Sequence, residues 1–195
     1  VSGPVPADPL PRTHRLARMA ADQAMSASDG PPDAIVLGIT TGGMATTEDL
    51  LEAKRYDPVL FRHHAAASVA EDLARRYRCR GPAVTLCTAC SSGAVAIKLA
   101  LEMLRAGLAA RVLAGGADGL CRLTYYGFKS LQLIDPEGCR PLDKDRRGMS
   151  LGEGAAMLLL SADRPQGAVA ELLGAGLSCD AYHPAKPHPE GRGAL

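Results

Sequence analysis

The feature that most constrains the fold is a cysteine placed between a short apolar segment and a strongly apolar helical pattern. Residues 83–89 (AVTLCTA) are typical of a buried strand, and the helical pattern follows over residues 91–106. Its only charges, Lys98, Glu102 and Arg105, are spaced i, i+4 and i+7 and so fall on one narrow face. Such a helix is buried on most of its circumference, which requires a sheet beneath it and other elements beside it.

Further apolar segments bounded by turn residues predict additional buried strands. They lie at 34–40, 111–119, 152–161 and 168–178. The first of them leads into TTGG at 40–43, which predicts a glycine-containing turn.

Two helices are predicted outside the cysteine junction. The first is indicated by apolar residues that recur at i, i+3, i+4 and i+8, namely Leu16, Met19, Ala20 and Ala24. The second begins at Asp57-Pro58, a favourable N-cap and first helical position, and runs through Arg76. Strands alternating with helices predict an α/β fold.

Composition narrows the class of function. The chain has 195 residues, 47% apolar and 22% charged, which is typical of a globular domain with a sizeable core. Its 22 basic and 21 acidic residues give a net charge of +1, which argues against nucleic acid as a partner. Because no apolar segment reaches about 20 residues and no signal pattern opens the chain, we expect a cytoplasmic protein without a membrane partner.

The six cysteines do not predict a metal or disulfide framework. Cys87 and Cys90 form a CxxC motif, but a redox or zinc site would need a thioredoxin-like context or a second pair of ligands. Neither metal nor cofactor is therefore expected.

Cys90 is the candidate nucleophile, because a strand-to-helix junction presents its side chain beside the first unpaired helical N–H groups. The positive end of the helix dipole favours a thiolate there, and the same N–H groups can hold the oxyanion formed when a thioester is attacked. The small residues Ser91, Ser92 and Gly93 let a substrate approach the backbone. On these grounds alone, a covalent nucleophile and a buried structural cysteine both remain open.

Five sequence blocks, in the same order, resemble the motifs of β-ketoacyl synthases of the thiolase-like superfamily. They are VLGITTGGM (36–44), TACSSG (88–93), AGGADG (114–119), CRPLDKDRRGMSLGEGAAMLLL (139–160) and LSCDAYHPAKPHPEGRGA (177–194). In the last block Cys179 stands where the family has a serine. The pattern is most similar to bacterial elongating enzymes, including those of the aryl-polyene type.

The resemblance implies a thiolase-like half: a mostly parallel mixed sheet flanked by helices. The family's first strand, expected in the middle of that sheet, and its C-terminal half with two catalytic histidines match no segment here. We expect one partial N-terminal domain over 1–195: an extended proline-rich lead (1–11), a core (12–178) and the start of a crossover to the second half (179–195).

The resemblance also implies an activity. The Cys90 thiol would accept an acyl group from acyl carrier protein, and its backbone N–H would serve as an oxyanion donor. A decarboxylated malonyl thioester would then attack the acyl-cysteine. The implied partners are acyl carrier protein, with acyl and malonyl groups on its phosphopantetheine, and a second subunit in a homodimer or a heterodimer with a related chain.

Residues of lower weight follow from the same resemblance, and a structural role is favoured for each. The acyl-pocket candidates are Thr41, Met44 and Phe128. The residues expected to brace the site or line its channel are Asp143, Arg146, Glu153 and His183.

Four other interpretations compete with an elongating synthase. A non-catalytic chain-length-factor-like subunit would lack the nucleophile, so the intact TACSSG block speaks against it. The chain could also be an inactive truncated fragment. A thiolase or starter-type synthase fits the block at 139–160 less well. A cysteine hydrolase would need a histidine and an acid downstream of Cys90; His183 and His188 are available, but neither lies in a matching motif.

Overall fold

Within the residues that the computed structural model describes (10–164, 166–183 and 186–193), four strands form one mixed sheet. They are β1 (Ala34–Gly38), β2 (Ala83–Leu86), β3 (Arg111–Asp118) and β4 (Gly154–Ser161), in the spatial order β2-β1-β3-β4. β1 runs parallel to β2 and β3, and β4 is antiparallel to β3. Most of the expected proline-rich lead lies outside the described residues.

Five α-helices surround this sheet in the same part of the chain. They are α1 (Arg12–Met25), α2 (Met44–Glu52), α3 (Ala67–Tyr77), α4 (Ser92–Arg105) and α5 (Arg122–Ser130). Short 3-10 turns cover Pro58–Phe61 and Ala89–Ser91. Helices on both faces of a mostly parallel sheet confirm the predicted α/β fold, a mixed sheet flanked by helices.

β1 supplies the centre of the core because both of its faces are covered. Ile35 and Leu37 pack with α1 and α3 on one side, whereas Ala34 and Val36 pack with α4 on the other. All five residues of β1 are buried. A strand covered on both faces reads as a continuous apolar run, which explains why the sequence predicted it correctly.

Although no segment matches the family's first strand, the middle of the sheet is not left open. β1 is hydrogen-bonded to β2 on one side and to β3 on the other, with Val36 opposite Val84 and Ala114. Among the described strands the sheet is therefore continuous, and its outer edges belong to β2 and β4.

The helix predicted from Asp57 to Arg76 is interrupted. Asp57 caps a short 3-10 turn by accepting the N–H of Val59 at 3.0 Å, but α3 begins only at Ala67. The residues between them hold the glycine turn after β1, because the Gly43 N–H donates to the His64 carbonyl at 3.2 Å. A Cβ atom on Gly43 would lie 2.0 Å from the His63 carbonyl oxygen, so only glycine allows this approach.

Two further expectations need correction, and two helices were missed. The strand predicted at 168–178 is wrong: these residues are not in a strand, and Val169 and Leu173 are 100% and 78% exposed. None of the described strands pairs with this segment. In α1 the predicted helix is confirmed, but Met19 is 63% exposed, and Ala17 and Ala21 face the core instead. The helices α2 and α5 were not predicted.

A ladder of polar pairs joins α1 to α3. Each pair spans 54 residues, so the two helices run in the same direction. The pairs are His14 with Ser68, Arg18 with Asp72, and Asp22 with Arg76. Burial would raise the pKa of Asp72, but the hydrogen bonds and charge of Arg18 outweigh it and lower that pKa.

His14, at the buried end of this ladder, is expected to make the folded chain less stable in acid. Burial, aided by the neighbouring His63, lowers the pKa of His14 from 6.5 to about 4. The unfolded chain therefore binds this proton more tightly, so stability is full above pH 6.5 and is lost as the pH falls toward 4. His14 alone is expected to contribute a loss of about 3 kcal/mol across that range.

Urea unfolding between pH 7 and pH 4 measures this effect, with His14→Gln as the matched variant because glutamine can still bond Ser68 but does not titrate. We expect a shallower pH dependence of the unfolding free energy in the variant. Identical pH dependence in the two proteins would contradict the prediction.

Candidate active site

Cys90 lies in the 3-10 turn between β2 and α4, and its side chain is exposed. The preceding residue, Ala89, has a left-handed backbone with φ of 54°, a conformation that alanine rarely adopts. The first hydrogen bond of the helical segment runs from the Ser91 N–H to the Thr88 carbonyl at 3.4 Å. The N–H of Cys90 precedes this bond, as the predicted oxyanion donor would.

The Ser92 hydroxyl holds this turn together. Ser92 is buried, and its Oγ accepts the Thr88 N–H at 2.9 Å and donates to the Ala89 carbonyl at 2.6 Å. The Ser92 hydroxyl thus pairs with the N–H of the residue before Ala89 and with the carbonyl of Ala89 itself. This is a means of sustaining the left-handed backbone next to the cysteine.

Glycines let the start of α4 lie directly on the sheet. A Cβ atom on Gly38 would be 2.2 Å from the Ser92 carbonyl carbon, and one on Gly116 would be 3.3 Å from the Gly93 Cα. Gly38 ends β1 and Gly116 lies beside it in β3, so the two central strands carry the turn that bears Cys90.

A cavity of about 400 Å³ opens beside the cysteine. Its walls come from the ends of β1 and β3, the start of α4, helix α5 and the approach to β4. Its lining includes the side chains of Thr40, Thr41, Cys90, Asp118, Thr124 and Phe128. Open sites at the carboxyl ends of parallel strands are where α/β sheets bind ligands.

Asp118, at the end of β3, lines the cavity and hydrogen-bonds to the loop that follows β1. Its carboxylate accepts the N–H groups of Thr40 and Thr41 at 2.9 and 2.6 Å, and the Thr41 hydroxyl at 2.8 Å. Sequence reasoning did not select Asp118, although its place at the end of an apolar strand was a usable signal.

The three acyl-pocket candidates do not all line the cavity. Thr41 and Phe128 line the cavity that contains Cys90. Met44 is the first residue of α2 and does not belong to the described residues that line it.

The residues expected to brace the site also differ in whether they contact the cavity. Glu153 pairs with Arg12 and accepts the N–H of Leu120, a cavity residue, at 3.3 Å. The hydrogen bond from Arg12 lowers the pKa of Glu153. Asp143 and Arg146 instead bond to each other in a turn away from the cavity, with Arg146 Nη1 donating to the Asp143 carbonyl at 2.9 Å.

His183 lies in an exposed segment and is also outside the described cavity lining. The six cysteines are all free thiols. Among residues 10–164, 166–183 and 186–193, no three His, Cys, Asp or Glu side chains cluster as a metal site would require. In those ranges no helix is both long and apolar enough to cross a membrane.

The fold and site define an α/β domain that presents an exposed cysteine at a strand–helix turn. Comparison with known families agrees, because the model for "Beta-ketoacyl synthase, N-terminal domain" matches residues 4–165. The chain belongs to the β-ketoacyl synthase family.

Individual relatives support the assignment. The chain is 33% identical to 3-oxoacyl-[acyl-carrier-protein] synthase 2 of Rhizobium meliloti (strain 1021), over 91% of this chain and 49% of the relative. It is 42% identical to nodulation protein E of Rhizobium leguminosarum bv. trifolii, over 57% of this chain and 29% of the relative. The chain thus spans about half the length of the full synthase.

Solved structures agree in fold. The ishigamide ketosynthase/chain length factor superposes with a TM-score of 0.85 at 34% identity, over 97% of this chain and 53% of that one. The ketosynthase ApeO in complex with its chain length factor ApeC, from Xenorhabdus doucetiae, gives a TM-score of 0.78 at 31% identity, over 100% and 53%.

Proposed function

We propose that this chain is the acyl-accepting part of a β-ketoacyl-[acyl-carrier-protein] synthase, with Cys90 as the nucleophile. The observation that carries the proposal is the exposed Cys90 thiol in a cavity of about 400 Å³ at the start of α4. A structural cysteine would be expected in the packed interior, as Cys121 is.

The first step is a transfer between two thioesters. The Cys90 thiolate attacks the carbonyl carbon of an acyl group on the phosphopantetheine of the carrier, and the Cys90 N–H donates to the resulting oxyanion. The carbon–sulfur bond to the carrier then breaks. The carrier leaves as its free thiol after taking up the proton given up by Cys90, and the acyl group remains on Cys90.

Chain extension completes the proposed reaction. Malonyl carrier protein loses carbon dioxide, and the carbanion attacks the acyl-cysteine carbonyl. The products are a β-ketoacyl carrier protein, two carbons longer, and a free Cys90. Thr41 and Phe128 are proposed to contact the acyl chain, because both line the same cavity as the thiol.

The proposed partners are an acyl carrier protein and a second, related subunit. Their support comes from the names of similar proteins: acyl-carrier-protein synthases among the relatives, and a ketosynthase with its chain length factor among the structures. A homodimer and a heterodimer are both consistent with these names. A cytoplasmic location stays a prediction.

Acyl transfer can be tested on the 195-residue chain by incubating it with acyl carrier protein that bears an acyl group. Mass spectrometry is expected to find one added acyl group, on the peptide that contains Cys90. Because the family's two histidine motifs match no segment of this sequence, addition of malonyl carrier protein to this chain alone is expected to yield no β-ketoacyl product.

The results of these two tests distinguish the competing interpretations of the chain. Absence of acylation would favour a non-catalytic partner subunit or an inactive fragment. A β-ketoacyl product from this polypeptide alone would contradict the expectation that condensation needs the two histidine motifs that this sequence lacks.

A further inference from the structure

One wall of the Cys90 cavity is held by a carboxylate that lies outside the cavity. Glu48, on α2, accepts the N–H of Arg122 at 2.8 Å through Oε2 and the N–H of Leu123 at 2.7 Å through Oε1. These are the first two residues of α5, and the residue before them, Cys121, provides no side-chain cap. Glu48 therefore satisfies two otherwise unpaired donors and places a negative charge at the positive end of the helix.

α5 depends strongly on this contact because it has little else to anchor it. None of its nine residues is buried, whereas α1, α3 and α4 each bury at least four. The side chain of Arg122 adds ion pairs to α2 through Glu52 and Asp49, but all three groups are exposed. Exposed pairs of this kind contribute little on their own.

The cavity face of α5 carries Thr124 and Phe128, one turn apart. Phe128 is the larger of the two, so its position affects how much space the cavity that contains Cys90 can offer. Any rotation or fraying of α5 from its N-terminal end would move this ring. Glu48 itself does not belong to the described lining of the cavity, so its influence passes through the helix.

We propose that Glu48 is a specificity-determining positioning residue, which sets the size of the group that reaches Cys90 by holding α5 and Phe128 in place. The inference deepens the proposed function, because the group admitted in the reaction would be the acyl chain. It rests only on the geometry of the cavity wall, and so can be tested with simple thiol reagents.

The experiment compares the rates at which N-methylmaleimide and the bulkier N-cyclohexylmaleimide modify Cys90, followed by mass spectrometry of the Cys90 peptide. Loss of the cap in Glu48→Ala is expected to raise the bulky-to-small rate ratio by about fivefold, as more α5 leaves its capped position. Glu52→Ala is the matched control: it removes an acid from the same helix but leaves both backbone N–H groups capped. Its ratio is expected to stay within about twofold of the unmodified chain.

Phe128→Ala removes the wall directly and is expected to raise the ratio as well. An unchanged ratio in folded Glu48→Ala overturns the proposal, and so does an unchanged ratio in Phe128→Ala. If circular dichroism shows that Glu48→Ala does not fold, Glu48→Gln decides: it keeps one acceptor oxygen, and a ratio that does not rise there also refutes the role. Size-selective alkylation of a Cys90 that is never acylated would refute the proposed function and leave this inference standing.

Discussion

Replacing Cys90 by alanine is expected to abolish acyl transfer to the chain, lowering the rate of acyl-enzyme formation by at least about a thousandfold. The sulfur of Cys90 forms the new bond to the acyl carbon, so the variant lacks the proposed nucleophile. The measurement is the time course of the acyl adduct by mass spectrometry, with acyl carrier protein as donor.

Cys87→Ala is the matched control for this variant. Cys87 is also exposed and lies three residues before Cys90, but its Sγ is directed to the Thr40 hydroxyl at 3.8 Å and it does not belong to the described cavity lining. We expect acylation of the Cys87 variant to stay within about threefold of the unmodified chain. Loss of acylation in Cys87→Ala, or acylation that persists in Cys90→Ala, would contradict the assignment.

Iodoacetamide labelling provides an independent comparison of the thiols. Cys139 and Cys179 are exposed like Cys90 but lie outside any helix. If the helix start activates Cys90, this residue reacts faster than the other two. Uniform slow labelling of all three would favour the non-catalytic partner subunit.

The second large effect is expected from Gly38→Ala. The added Cβ atom would lie 2.2 Å from the carbonyl carbon of Ser92 and 2.5 Å from the nitrogen of Gly93, which are backbone atoms and cannot rotate away. The start of α4 must therefore move off the sheet. We expect a loss of about 3 kcal/mol or more in the free energy of unfolding, together with displacement of Cys90 from the cavity.

Gly93→Ala is the control, because a Cβ atom there meets its nearest neighbour, the Gly116 Cα, at an ordinary 4.0 Å. In a helix, alanine in place of glycine is expected to be neutral or to stabilise the chain by about 0.5–1 kcal/mol. Urea unfolding measures both variants, and Cys90 alkylation reports the position of the thiol. Equal stability of the Gly38 and Gly93 variants would show that the helix does not rest on β1 as closely as described.

The correct predictions share a physical basis in local pattern. β1, β3 and α4 are continuous or nearly continuous apolar segments because the two central strands are covered on both faces and α4 packs against them. The position of Cys90 between β2 and α4 follows from the same pattern. Burial of this extent leaves few compatible residue types, so the sequence is informative there.

The wrong or missing predictions concern segments whose structure depends on distant partners. The apolar run at 168–178 resembles a strand, but a strand forms only when it pairs with another strand, and none of the described strands pairs with it. Helix α5 has no buried face to create a periodic pattern, and its start is capped by Glu48, 74 residues earlier. Asp118 likewise acts on Thr40, 78 residues away.

By itself, the sequence determined the α/β class, the family resemblance and the cysteine at a strand–helix junction, because these depend on residue type and short-range spacing. Only the tertiary structure decided which side chains share the cavity with that cysteine, and that Met44, Asp143 and Arg146 do not. The physical reason is that a cavity is formed where the ends of separate elements meet. The pairing of those ends is set by the packing of the whole sheet, and no short stretch of residues encodes it.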